Sequence, residues 1–364
     1  MTEEFTAPLI AVADDLDSIN ALYLERRWGD GLPVVPPTPE RVRAMLRYTD
    51  RDPTDVVAML PPGFGAATVE RIAINAVLAG CHPSFLPVLI AAVAAMAEPR
   101  FNLQGIQATT NPVAVFVLIN GPAAAQLGVN SGAGCLGPGW QANATIGRAL
   151  RLIMQNIGGA RPGEMDRATH GQPGKYTFCC AENEAASPWE PLHVERGFPP
   201  TTSTVTVLHP AGTHNMNTHT KDADDLLRVI ADTMAFPTAN DYVFGGEPIV
   251  LLGPEHAAIL AQAGLSKAAV KRRLWEQSKL PGRRFAAKDL ARLVIGRRED
   301  LPGPIGLETL IPLAPSPDEI VVIVAGGPGT HSVSMTSFGD ARSVTRPITD
   351  AAGQPIERFG VPVR

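Results

Sequence analysis

Residues 94–128 read AAMAEPRFNLQGIQATTNPVAVFVLINGPAAAQLG, and residues 231–264 read ADTMAFPTANDYVFGGEPIVLLGPEHAAILAQAG. Met96-Ala97-x-Pro99 in the first matches Met234-Ala235-x-Pro237 in the second, and Asn102 and Asn240 stand at the same offset. Each segment then reaches a continuously apolar run, Val113–Ile119 and Ile249–Leu252, of the kind a fully buried strand requires. Each run stops at Gly-Pro, at Gly121-Pro122 and Gly253-Pro254. An Ala-rich turn and a basic amphipathic segment follow, residues 144–156 in one copy and 268–280 in the other. The repeated unit is helix, strand, Gly-Pro turn, helix. Alternation of helices with short apolar strands predicts an α/β fold, here a duplicated one with a pseudo-symmetric core.

A third apolar strand, EIVVIVAGGPGTHS at 319–332, follows a Pro-rich stretch and predicts either a small C-terminal α/β segment or one more strand on the main sheet. The expected organisation is an N-terminal arm, helix and Pro-rich loop at 1–55 and a first α/β half with inserted glycine-rich loops at 56–200. A second half at 201–300 and a C-terminal strand with its glycine-rich loop at 301–364 complete it.

The copies differ in a useful way. The first carries extra residues around QGIQATTN (104–111) and the loop SGAGCLGPGW (131–140), which the second lacks. Insertions into a scaffold that manages without them are where binding and catalysis gather. Thr109, Thr110 and Asn111 are therefore expected to line a pocket. Glycines such as Gly137 let backbone amides approach a ligand. Asn143 or Thr145 is expected to cap the following helix, whose N-terminus favours an anion. Asn130, Ser131 and Trp140 could add hydrogen bonds or stacking. The pattern is neither GxGxxG nor a Walker loop, so no nucleotide cofactor is indicated.

Two further constellations carry polar chemistry. HPAGTHNMNTHT (209–220) spaces His209, His214 and His219 by five, with Asn215 and Asn217 between, just after the strand-like Ser203–Leu208. Odd separations place residues on opposite faces of a strand, so these histidines converge only in a loop. Histidine serves both as acid–base group and as metal ligand, which makes His214 and His219 candidates for a divalent metal. FCCAENEAASPWEPLHVERGF (178–198) packs Glu182, Glu184, His193, Glu195 and Arg196 beside Trp189. A carboxylate near a histidine can move protons, and an arginine can grip a carboxylate. Lys175, in a Gly-Pro turn upstream, is a candidate anion contact. Cys135 sits in the glycine loop ahead of a helix, where a thiolate would be stabilised. The adjacent pair Cys179-Cys180 is poor for a local disulfide. His331 and Ser332 follow a strand end, with no aspartate identifiable to complete a triad.

The totals narrow the class. Net charge is −5, with no basic cluster interleaved with aromatics, which argues against nucleic acid as a partner. The most apolar run, residues 85–97, is too short to span a bilayer and reads as a buried helix. No basic, apolar leader is visible, and four cysteines without framework spacing fit a reducing cytoplasm.

DGLPVVPPTPERV (30–42), TVERIAINAVLAGC (68–81), NATIGRALRL (143–152) and ENEAASPWEPLHVERGF (182–198) resemble the long form of the bacterial UGSC-type (seleno)proteins. The resemblance covers most of residues 25–285. The Cys-Gly-Ser-Cys run itself is missing, and the corresponding place, Gly329-Thr330-His331-Ser332, lacks a thiol. The resemblance implies an enzyme; if its members work through thiol or selenol redox chemistry, this chain either does not or relies on a separate subunit that does.

The leading expectation is a cytoplasmic hydrolase or lyase acting on a small anionic or carboxylate-bearing molecule. The glycine loop would hold the anion. His214 or His219 with Glu182 or Glu195 would move protons, with a divalent metal as the candidate cofactor. The alternatives are a thiol-linked oxidoreductase using Cys135, alone or as one subunit of a two-component enzyme, and a non-catalytic small-molecule binder. Pro-rich loops and low charge also suit a homo-oligomer.

Overall fold

The computed structural model describes residues 5–301 and 303–363; residues 1–4, 302 and 364, at the edges of the expected arm and C-terminal segment, lie outside the described residues. In chain order come α1 (Leu16–Glu25), α2 (Pro39–Leu46), the hairpin β1 (Val56–Leu60) and β2 (Gly65–Thr68), α3 (Val69–Ala79), α4 (Leu86–Met96) and α5 (Leu103–Ala108). Next are β3 (Phe116–Asn120), α6 (Pro122–Gln126), α7 (Gln141–Asn156), β4 (Cys179–Ala181), α8 (Leu192–Glu195), β5 (Thr204–Leu208) and β6 (His214–Asn217). The chain continues through α9 (Ala223–Met234), α10 (Asn240–Phe244), β7 (Ile249–Leu252), α11 (Pro254–Gln262) and α12 (Lys267–Gln277). The last elements are β8 (Leu280–Pro281), α13 (Ala287–Gly296), β9 (Leu310–Ile311), β10 (Val321–Val324), β11 (His331–Met335) and β12 (Val344–Pro347).

Two four-stranded mixed sheets form the centre. The first has the order β12-β5-β3-β4, with β3 and β4 parallel and the other neighbours antiparallel. The second has the order β6-β11-β7-β10, with β7 and β10 parallel and the rest antiparallel. Side-chain alternation divides each strand between two cores. Phe116 and Leu118 of β3, Ile249 and Leu251 of β7, and Val321 and Ile323 of β10 share one cluster between the sheets. Val117 and Ile119 turn instead to a core built from α3, α4 and α7. Val250, Leu252, Val322 and Val324 turn to a core built from α9 and α12. The result is four layers, helix–sheet–sheet–helix. Both faces of the central strands are covered, which is why they read as unbroken apolar runs.

The helices begin where their caps dictate. Thr68, Asp222 and Ser266 each accept a backbone N–H at the start of α3, α9 and α12, and Gly80 closes α3 at φ 83°. Pro122 and Pro254 each open a helix directly after a strand, where a missing N–H costs nothing.

The two sheets share one direction pattern, and each takes its outermost antiparallel strand from the other part of the chain. β6 follows β5 but pairs with β11, and β12 follows β11 but pairs with β5. This mixed α/β fold is compatible with a duplicated architecture. The C-terminal segment expected at 301–364 does not stand apart: it supplies β10 and β11 to the second sheet and β12 to the first. The apolar β10 is too hydrophobic to be left uncovered and is buried along its whole length. Among the described residues no single helix is long and apolar enough to cross a membrane. The bent pair Pro83–Met96 and Pro99–Ala108 meets that test only jointly, across a 77° break, and nearly all of α4 is buried in the helix-side core.

Candidate functional site

The carboxyl ends of the two parallel strand pairs meet, and two glycine-rich loops meet over them. Asn183, just past β4, donates its N–H to Val324 O of β10 (2.7 Å) and its side-chain amide to Gly326 O (3.3 Å). Gly326 in turn donates to Ser131 O (2.8 Å), and Ala181 donates to Asn130 O (3.2 Å). A Cβ placed on Gly327 would lie 2.7 Å from the Ala133 methyl, so only glycine lets the loops touch here.

Asn143 fixes the shape of the first loop. Its Oδ1 accepts from Asn130 N (2.8 Å), and its Nδ2 donates to Asn130 O (2.9 Å) and Cys135 O (3.0 Å). It does not cap α7 as expected. The helix starts at Gln141 with Trp140 before it, and Asn143 lies inside the first turn facing the loop. Thr145 donates back to Gln141 O (2.8 Å) and does not cap either. Gly137 closes a tight turn onto Gly134 O (2.7 Å). Leu136 and Trp140 stand exposed on either side of this turn.

The loop is built around Cys135. Its sulfur lies beside the Cys180 thiol of β4 and faces the backbone N–H groups of Cys135, Leu136 and Gly326. Hydrogen bonding by Cys180 is the main influence; burial opposes it and the three amides reinforce it, leaving Cys135 below the ordinary thiol value. The Cys135 and Gly326 amides are shared with the carbonyls of Gly132 and Ser131. Cys180 moves the opposite way: donating to Cys135, complete burial and the neighbouring Glu182 charge all push it well up. All four cysteines are free. Cys81 is pushed up to about 12 by burial, and Cys179, on the opposite face of β4 from Cys180, is also raised by burial.

Beyond Cys180 the strand ends carry a buried polar cluster. Asn120 Nδ2 donates to Glu182 Oε2 (2.7 Å) and Glu184 Oε1 (3.0 Å). Leu192 N donates to Glu182 Oε2 (2.8 Å), and Gly121 N to Glu184 Oε1 (2.7 Å). Burial raises Glu182 above the ordinary carboxylate value, although Lys267 acts against this. Glu182 Oε1, Asn120 Oδ1, Thr204 Oγ1 and both ring nitrogens of His193 have no hydrogen-bond partner among the described residues. Asn120 and Thr204 are cross-strand neighbours, and His193 Nδ1 stands 3.8 Å from Glu184 Oε1. Buried polar atoms are nearly always paired, so such a concentration sets this cluster apart from the rest of the core.

The other expected site residues are spent elsewhere. Thr109, Thr110 and Asn111 form a turn in which Asn111 N bonds Thr109 Oγ1 (3.1 Å) and Val113 N bonds Asn111 Oδ1 (2.9 Å). That turn precedes β3, whereas the cluster lies at the far end of this strand. Lys175 is paired with Asp166 at 2.9 Å, together with Arg151 at 3.2 Å. Glu195 holds Lys267 (3.0 Å) and Lys271; burial alone would raise it, but these two charges keep it low. Arg196 donates to Thr345 Oγ1 (2.8 Å) and Ser343 Oγ (2.6 Å) and is not free to grip a ligand.

The histidine run does not converge in a loop, because part of it becomes β6 against β11. His214 packs edge-on against Phe236, His219 Nδ1 pairs with Thr330 Oγ1 (3.0 Å), and Asn215 Oδ1 faces His331 Nδ1 (3.2 Å). Asn217 is the strand partner of His331. His209 faces Glu247 at 3.4 Å. Ser332 is buried against His256 Nδ1 (2.7 Å), whose other nitrogen meets a carbonyl, Thr218 O (3.1 Å), and not a carboxylate. This is a brace between strand and helix. Among the described residues no group of three or more His, Cys, Asp or Glu side chains is placed to hold a metal ion, so the expected ligands His214 and His219 lack the further donors a site needs.

Sequence reasoning assigns no site role to Cys180, Asn120 or Lys267, whereas His193 stands among its polar candidates. Cys180 could have been found from alternation: in a strand-like Cys-Cys-Ala, one cysteine must face away from its neighbour, toward a distant partner. Comparisons with protein-family models, with curated proteins and with solved structures give no match to this chain.

Proposed function

We propose that the chain is a thiol–disulfide oxidoreductase whose attacking group is Cys135 and whose resolving group is Cys180. The observation that carries this reading is the pairing itself. The Cys135 sulfur, 7% exposed on an amide-lined loop and held below the ordinary thiol value, packs in one cluster with a second, fully buried thiol on β4. Such asymmetry sets the order of events. The thiolate attacks a substrate disulfide and expels one thiolate; the buried thiol then attacks the mixed disulfide and expels the other. Two electrons pass from the dithiol to the substrate, and a thiol reductant restores the pair.

The amides expected to hold an anionic substrate are then occupied by the protein's own thiolate. Exposed Leu136 and Trp140 flank it and suit a disulfide carried on a partly apolar molecule. The reading draws no support from the resemblance to the UGSC-type proteins, whose Cys-Gly-Ser-Cys run this chain lacks. It fits an architecture we take to be a pseudo-symmetric duplication with exchanged outer strands: Gly-Pro follows β3 and β7 alike, and only the first copy has the cysteine loop.

The test is treatment of the folded protein with a small disulfide, followed by peptide mapping. The reading expects a Cys135–Cys180 bond and two thiol equivalents released. A stable mixed disulfide on Cys135, or modification of other cysteines first, would rule it out.

A further inference from the structure

Resting on that thiol–disulfide reading, we infer that Glu182 is the proton acceptor for Cys180 when it closes the bond to Cys135. Cys180 is buried to 0% exposure and Glu182 to 3%, so the thiol proton must pass to an internal group. Cys180 lies in β4 and Glu182 one residue past its end, where it accepts from Asn120 of β3 and from the N–H of Leu192, whose side chain packs with Cys180 between the sheets.

The groups facing this spot are few. Lys267, from α12, is committed to Glu190 O (2.7 Å) and Glu195 Oε2 (3.0 Å), and as a cation it has no acceptor. Glu184 accepts from Asn120 and Gly121 N and faces His193. Cys179 points into the helix-side core. His193, on α8, faces Glu184 Oε1 at 3.8 Å and is not among the charges that act on Cys180. Glu182 alone carries both a sensed charge on Cys180 and a free lone pair. Asn120 and the Leu192 amide pin its Oε2, which leaves Oε1 as the open oxygen. Burial above the ordinary carboxylate value brings its affinity for a proton closer to that of a thiol, which is what an acceptor needs.

The step balances. The Cys180 S–H bond breaks and its proton goes to Glu182. The sulfur's electron pair forms the bond to Cys135, and the bond from Cys135 to the substrate sulfur breaks, releasing a thiolate. The protein pair is oxidised and the substrate sulfur reduced.

The experiment mixes full-length protein with an excess of an aromatic disulfide whose released thiolate absorbs visible light. Two equivalents appear, one for each attack, and their rates are measured across pH. In the wild type the second rate should rise with pH through a single ionisation that the first rate does not show. Glu182→Gln should lower the ratio of second to first rate at least tenfold and move that rise to higher pH; Glu182→Asp should restore part of it. An unchanged ratio with an unmoved profile overturns the inference, and so does a flat wild-type profile, which needs no variant to fold. Absence of a second equivalent in the wild type defeats the thiol–disulfide reading itself.

Discussion

Replacing Cys180 with alanine should shift the ionisation of Cys135 upward and slow its alkylation at low pH about threefold. The Cys180 thiol is the largest influence lowering Cys135. A hydrogen bond to a charged group contributes about 1.5–3 kcal/mol, and a thiol, being a weak donor, belongs at the low end. Losing about 1.5 kcal/mol lowers the thiolate fraction about tenfold well below the ionisation. Reactivity does not simply follow the thiolate fraction, because a more basic thiolate is also a better nucleophile. With a Brønsted slope of about 0.4–0.5, alkylation well below the ionisation should slow about threefold, and the plateau above it should rise about threefold. The two profiles therefore cross. Cys180→Ser keeps a donor and should stay close to the wild type. The assay is the rate of iodoacetamide labelling of Cys135, followed by mass spectrometry across pH. An unshifted ionisation in Cys180→Ala would refute the reasoning. A parallel drop at every pH would instead report a displaced loop.

Asn143→Ala removes three hydrogen bonds from a buried amide, and should cost about 2–4 kcal/mol in denaturant unfolding while raising the Cys135 ionisation toward an ordinary thiol. Gly327→Ala forces the two loops apart against the Ala133 methyl at 2.7 Å, and should cost about 1–3 kcal/mol and slow Cys135 labelling at neutral pH. Lys267→Met breaks a buried pair with Glu195 and should lower stability by about 3 kcal/mol, read as a lower urea midpoint. Asp241, pushed up to about 7 by burial from 3.8, holds its proton more tightly folded than unfolded. Raising pH through that interval therefore favours unfolding. The urea midpoint should fall from pH 4 to 7, and Asp241→Asn should flatten that slope.

What the sequence reveals and what it hides follow from the range of the interactions involved. The apolar runs of β3, β7 and β10 and the Gly-Pro stops are local signals, so the α/β class is legible. The glycine loop at 131–140 is legible as a special feature for the same reason. Pairing is not local. Nothing in His214–Asn217 states that it will join β11 and not β5, and that choice is what pulls His214 away from His219. That Cys135 of the loop faces the Cys180 thiol is not legible either, because it depends on β4 packing beneath the loop. Lys175, Glu195 and Arg196 look available in sequence because their partners, Asp166, Lys267 with Lys271, and Ser343 with Thr345, come from other segments.

The most direct test of the central claim is the ionisation of Cys135 in the folded, unmodified protein, taken from its labelling rate against pH with the other three cysteines followed in the same digest. The account predicts that Cys135 titrates below a free thiol's value of about 8.5 and reacts first, while Cys81, Cys179 and Cys180 stay protected until the protein unfolds. Titration of Cys135 at or above the free-thiol value, or labelling no faster than its buried neighbours, would contradict it.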